Sequence, residues 1–236
     1  MLIKNEVLTP AVRMGLSISV ATGLYGVSFG ALAVAAGLSI WQAMALSALM
    51  FTGGSQFAFI GVIAGGGAGS AALGAATLLG VRNAVYGMQM NRLLQPKGWR
   101  KVLAAQVTID ESAATASGQM DVAEQKRGFW TAGVGVFVLW NVFTFLGAWL
   151  GDALGDPRQW GLDGAAVAAF LGLLWPRLQQ REPIALAVLC GVITALAVPL
   201  LAPGLPILVA AVLGAAWGWW RSAATSADAL SAKEAV

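Results

Sequence analysis

Histidine is absent from this chain of 236 residues, and cysteine occurs once, at Cys190. The first absence excludes histidine-based catalytic triads, histidine-rich metal sites and imidazole pH switches. The second excludes an internal disulfide. Charge is scarce as well: Asp, Glu, Lys and Arg together make up 11% of the residues, where a soluble domain carries about a quarter. No phosphate-binding or dinucleotide-binding glycine fingerprint is present, so no cofactor or metal is expected, and no nucleotide chemistry. The net charge of +3 is confined to short basic clusters. It suggests orientation in a membrane rather than a nucleic-acid partner.

What is present is oil. From Met14 to Val81 there is no Asp, Glu, Lys or Arg, and two further charge-free runs cover Gly128–Gly151 and Pro183–Trp220. A membrane span needs roughly 20 mostly apolar residues, so the first run has room for three spans and the last for two. The runs are continuously apolar and lack alternation, which argues against a β-barrel. The chain is therefore expected to be all-α, a polytopic helical membrane protein forming a single integral domain over 1–236. Residues 1–13 and 222–236 are read as its tails, with the bilayer as its surroundings. Lys4, Arg13 and Ala31-Leu32-Ala33 imitate a signal sequence, but the apolar character continues past them and indicates a first span.

Apolar segments fall at about 14–37, 41–65, 70–92, 128–151, 163–177, 183–202 and 205–221. Gly37-Leu38-Ser39, Gly65-Gly66-Gly67 and Pro203-Gly204 mark tight turns. The stretch from Val102 to Met120 is ambiguous: a surface helix, a re-entrant helix and a crossing all fit it. Lys and Arg gather at 4–13, 92–101, 126–127, 177–181 and 221–233, whereas 152–163 holds three aspartates and one arginine. Basic loops face the cytoplasm. All the clusters share one side if 102–120 does not cross and if 41–65 dips in and returns at Phe51–Phe57. That gives six crossings with both ends inside; a seven-crossing chain with its N-terminus outside is the alternative. Glycines four apart recur at Gly26/Gly30, Gly61/Gly65/Gly69, Gly147/Gly151 and Gly214/Gly218. Such spacing lets helices touch within a bundle or at a second subunit.

Four polar features interrupt the oil: Thr52 to Gln56, Arg82-Asn83 with Tyr86, Thr108 to Glu111, and Asp163. An arginine at mid-membrane costs at least about 3 kcal/mol and needs an anionic partner or water. Two readings are open. Arg82 is either a structural ion pair with Asp110 or Glu111, or a fork that grips a substrate carboxylate. Gly53 and Gly54 either permit close packing or mark an unwound helix, whose backbone N–H groups would join Ser55 and Gln56 in cradling a polar ligand. Adjacent residues on a helix point about 100° apart, so only one of Asp110 and Glu111 is expected to face the site. Asp163 is explained as a helix N-cap.

At these features the sequence resembles the AzlC-like family of branched-chain amino acid permeases. The matching stretches are "VSFGALAVAAGLSIWQAMALSALMFTGGSQFA", "LLGVRNAVYGMQM", "TIDESAATA" and "GLDGAAVAAFLGLLWPRL". Asn83 stands where the family often has histidine, and Ile109 where it often has threonine. The resemblance implies a non-enzymatic exporter of branched-chain amino acids in the cell inner membrane. It also implies that the chain is a large subunit working with a small AzlD-like membrane partner. On that reading Arg82, Asn83, Tyr86, Gly53, Gly54, Ser55 and Gln56 are the candidate substrate-binding residues. Asp110 or Glu111 would meet the substrate ammonium or carry a coupling proton. Rival classes are a channel or transporter for another solute or ion, a membrane enzyme using Asp110 or Glu111, and a non-transporting assembly subunit.

Overall fold

The computed structural model describes residues 8–154, 163–175 and 178–234. All regular structure among them is helical, with no strand. The first helix, α1 (Pro10–Ala35), starts where Pro10 follows Thr9, whose side chain accepts from Val12 N–H. Proline suits that first position because no helical partner awaits its missing N–H. Among the described residues, α1 and the long α7 (Val122–Leu154) are the two helices both long and apolar enough to cross a bilayer by length and composition alone.

Glycine brings these two helices together. Gly15 lies against Thr131 and Ala132, Gly23 against Leu139, Gly26 against Trp140 and Gly30 against Thr144 and Ala148, while Gly147 and Gly151 meet Val27 and Ala31. The numbers rise together on both helices, so α1 and α7 run parallel. A Cβ added at Gly26 would fall 2.7 Å from the Trp140 carbonyl oxygen, so backbone touches backbone along this seam. Gly26/Gly30 and Gly147/Gly151 are thus consumed inside the bundle. Of the two readings of that spacing, packing within the bundle is the one these pairs adopt, and 147–151 leaves no face for a second subunit.

We call the end where α1 begins the lower face and the end where it finishes the upper face. A capping box at Ser39 and Gln42 turns the chain from α1 into α2 (Ile40–Leu49). α2 descends, since Ser47 hydrogen-bonds Thr144 and Phe51, just past its end, packs on Phe137. The helix stops at mid-depth. Gly53, with φ 63°, starts α3 (Gly54–Ala64), which climbs back until Ile63 shares a groove with Leu38 and Gln42. Residues 40–64 therefore form a hairpin that enters from the upper face and returns to it.

The next helix, α4 (Gly69–Leu94), descends antiparallel to α7. Val62 packs beside Ala72 near its start, and Met90 and Leu94 meet Phe129 near its end. α5 (Trp99–Gln106) then rises from the lower face, placing Val107 against Gly133. After a break, α6 (Asp110–Ser117) descends until Thr115 touches Gly128. This second hairpin enters from the opposite face. The unit 10–64 is one 26-residue helix followed by a hairpin, and 69–117 repeats that plan upside down.

Both breaks use one device. Gln56 Oε1 accepts the Gly53 N–H at 3.1 Å, and Ser112 Oγ accepts the Ile109 N–H at 3.0 Å. In each case a side chain three residues on satisfies a backbone donor freed by the break.

Residues 41–65 turn back on themselves and do not run straight through, and Arg13, Arg92, Arg100 and Arg127 fall at the lower face with Asp152 at the upper. α8 (Asp163–Leu174) packs on α1 and α3. Asp163 opens it; its side chain lies outside the described residues, as do the acidic loop 155–162, Arg177 and the first seven residues. α9 (Arg181–Ala197) and α10 (Leu205–Glu234) form an antiparallel pair. The turn between them rests on the bundle where Pro203 and Gly204 meet Gly67 and Val62.

Candidate functional site

The two hairpin tips meet in the middle of the bundle. Gln106 Nε2 donates to the Ala48 carbonyl at 2.7 Å, joining the end of α5 to the end of α2. Arg82, near the centre of α4, lies against both tips. Its Nη2 stands 2.9 Å from Asp110 Oδ2 on the lower hairpin and donates at 3.3 Å to the Thr52 carbonyl on the upper one. Arg82 thus has an ion-pair partner in Asp110.

Beside this junction lies a cavity of about 220 Å³. Its lining mixes polar groups, among them Arg82, Asp110, Glu111, Thr22 and Tyr25, with apolar and aromatic ones, among them Phe51, Phe57, Ile109, Val136 and Trp140. The aromatic wall is rigid: Trp140 stacks on Phe29 at 6.0 Å and meets Phe57 edge-on at 6.1 Å.

Asp110 and Glu111 both line the cavity, which corrects the expectation that only one would. They are the first two residues of α6, at the end of a short helix that points at the cavity, so the sideways divergence of a mid-helix pair does not separate them. Gly53 and Gly54 also line it. Ser55 and Gln56 do not. Gln56 is fully buried and spends its amide on the hairpin, accepting from Gly53 and donating to the Leu46 carbonyl at 3.0 Å. Ser55 faces a groove on the far side of the tip. Asn83 and Tyr86 lie outside the wall, Tyr86 packing with the cluster around Met90 and Phe129.

Thr22, Tyr25, Val136 and Trp140 were not marked by the sequence, and Phe51 and Phe57 were marked only as bounds of the reversal. Tyr25 carried the one usable signal, as one of only two tyrosines. Several polar atoms around the junction are buried without a partner: Thr52 Oγ1, Ser55 Oγ, Arg82 Nε, Asn83 Oδ1 and Trp140 Nε1. Orphans of this kind are uncommon and costly, and here they gather at one place. Among the described residues no cluster of three or more metal-ligating side chains exists.

An all-helical bundle with opposed mid-depth hairpins and a charged, half-aromatic cavity between their tips has the build of a membrane transport protein. The comparison with known families agrees. The AzlC protein family matches residues 17–154, more than half of the chain and all of α2 to α7, and the chain belongs to that family of permease-type transporters. No curated protein and no solved structure matches it.

Proposed function

We propose that the chain carries small amino acids with aliphatic side chains across the cell inner (plasma) membrane, in the direction of export, as the multi-pass large subunit of a two-component permease. The observation that carries this reading is that one cavity is lined both by charged groups and by apolar, aromatic ones. A free amino acid combines the same two characters. Its carboxylate fits the Arg82 fork, and its ammonium fits Asp110 or Glu111. Its side chain lies against Phe51, Val136 and Trp140. Binding replaces the Arg82–Asp110 pair by two pairs, one at each end of the zwitterion, so neither protein charge is left unsatisfied.

The opposed hairpins supply the movement. Withdrawing the upper hairpin would widen access to the cavity from above, and withdrawing the lower one would widen it from below. Inverted repeats with broken helices at mid-depth are a general way to alternate access. Glu111 is the proposed proton carrier, because it lines the cavity while Arg82 is paired with Asp110. The small AzlD-like partner rests on the family resemblance and on the open space around Gly61 and Gly69, where an added Cβ meets nothing within 4 Å.

Counterflow of labelled leucine in proteoliposomes, with and without the partner, tests the reading. Saturable exchange is expected, highest with the partner present. Flux that neither saturates nor exchanges would instead identify a channel.

A further inference from the structure

A second hollow, of about 580 Å³, opens at the lower face where α4 turns into α5, apart from the Arg82 cavity. Lys97, Arg100 and Lys126 line it together with Trp99, Trp130 and Leu94, and no acid does. The turn has the backbone to gather cations there. Gln95 at φ 48° and Gly98 at φ 56° fold the chain back so that Lys97 and Arg100 reach one wall, while Lys126 comes from α7.

None of the three has an ion pair or side-chain hydrogen bond among the described residues. Arg127, one residue along, is instead paired with Glu124 at 2.7 Å. Three like charges around one hollow repel each other unless an anion sits among them. α5 adds its uncapped N-terminus, since Gly98 offers no side chain to take the first N–H groups. Positive loops alone would explain the cations, but not their convergence on a walled hollow.

The surroundings indicate what kind of anion. Trp99 is 68% exposed and Val102 is 71% exposed, and they continue from the hollow along the outer face of α5. Charge at the rim with an apolar strip running inward suits an amphiphile, and tryptophan belongs at that depth of a bilayer. We propose that this hollow binds the phosphate headgroup of an anionic phospholipid, with an acyl chain lying along Trp99 and Val102. The site sits at the root of the hairpin that carries Asp110, so the lipid would brace that hairpin.

The test uses the full chain in neutral detergent, offered phosphatidylglycerol and phosphatidylcholine in equal amounts, with retained lipid read by native mass spectrometry. The anionic lipid should be retained at least about tenfold over the neutral one, because three basic residues engage its phosphate. The triple variant Lys97→Gln, Arg100→Gln, Lys126→Gln should lose that preference. All three side chains are exposed, so the fold should survive. A control, Arg13→Gln, Arg92→Gln, Lys101→Gln, removes equal charge from the same face and should keep the preference. Inorganic phosphate should not displace the lipid. The proposal is overturned if the triple variant keeps the preference, if the control loses it equally, or if phosphate alone competes, the last marking a site for a free anion.

Discussion

Arg82 and Asp110 meet at 2.9 Å across a junction that neither of their helices forms alone. Arg82 belongs to an unbroken 26-residue helix, and Asp110 is the first residue of an eight-residue limb that begins at mid-depth. The same Nη2 reaches the Thr52 carbonyl of the opposite hairpin. One guanidinium therefore holds two hairpins that enter from opposite faces.

Replacing Arg82 by Lys keeps the charge and removes the planar fork. Substrate affinity should fall about tenfold to a hundredfold, the worth of a charge-assisted hydrogen bond, while the protein still folds. Arg82→Ala also strands Asp110 and should cost up to about 3 kcal/mol of stability. Binding of labelled leucine and thermal unfolding in detergent separate the two effects. Normal affinity in Arg82→Lys would leave the ion pair as structure only.

The two carboxylates should divide the remaining work. Asp110→Asn breaks the Arg82 pair and should weaken exchange as well as driven flux. Glu111→Gln should keep exchange and lose the flux driven by a pH gradient, because it removes the proton acceptor and leaves the Arg82–Asp110 pair intact. Equal response of both variants and the unmodified protein to the gradient would exclude proton coupling through either acid.

Much of this arrangement was legible in the sequence, for definite reasons. Long uncharged runs have few solutions in a bilayer, and Gly53-Gly54 announced the upper break because only glycine adopts φ 63° without strain. The lower break was not legible. Val107 to Ile109 contains neither glycine nor proline, and the turn is made by Thr108 bonding the Ala104 carbonyl at 2.6 Å and Ser112 the Val107 carbonyl at 2.8 Å. The cavity wall was hidden for another reason. In an all-apolar helix every face is hydrophobic, so nothing in the periodicity singles out Val136 or Trp140.

The α1–α7 seam distinguishes glycines by what they touch. Gly30→Val drives a branched side chain into the Thr144 backbone and should destabilise the protein by about 1–3 kcal/mol. Gly61→Ala meets open space and should change stability by less than about 0.5 kcal/mol. Thermal midpoints of the purified variants report both. If Gly61→Ala leaves the chain stable but abolishes co-purification with the small subunit, the partner sits on α3.

At the free end of the α9–α10 pair, Arg221 hydrogen-bonds Glu182 at 2.7 Å and Trp217 Nε1 donates to it at 3.1 Å. These bonds hold the Glu182 carboxyl below its ordinary value of 4.5, Arg221 contributing most. A depressed carboxylate stabilises the fold above its unfolded pKa, and that contribution disappears as the pH falls through the folded value. The unmodified protein should therefore outlast Glu182→Gln on heating at neutral pH and match it in acid well below 4.5. A gap independent of pH would mean the carboxylate is not what the pair depends on.

The hairpin tips offer the most direct test of movement. Ala48 and Gln106 sit on opposed hairpins and are joined by a 2.7 Å hydrogen bond from side chain to backbone. Cysteines at these two positions, on a Cys190→Ser background, should be bridged by a short thiol cross-linker when the tips are together. If each hairpin withdraws in turn to open the cavity, the bridged protein should bind or occlude substrate but exchange none. A cleavable linker should restore exchange when it is cut. Gln106→Ala supplies the opposite perturbation: without the tip-to-tip bond, a contact worth about 1 kcal/mol, the open states should be more populated and a cysteine near Gly53 more reactive to aqueous reagents. Full exchange in the bridged protein would show that the tips stay together throughout the cycle, and the route to the cavity would have to be sought between α1 and α8 instead.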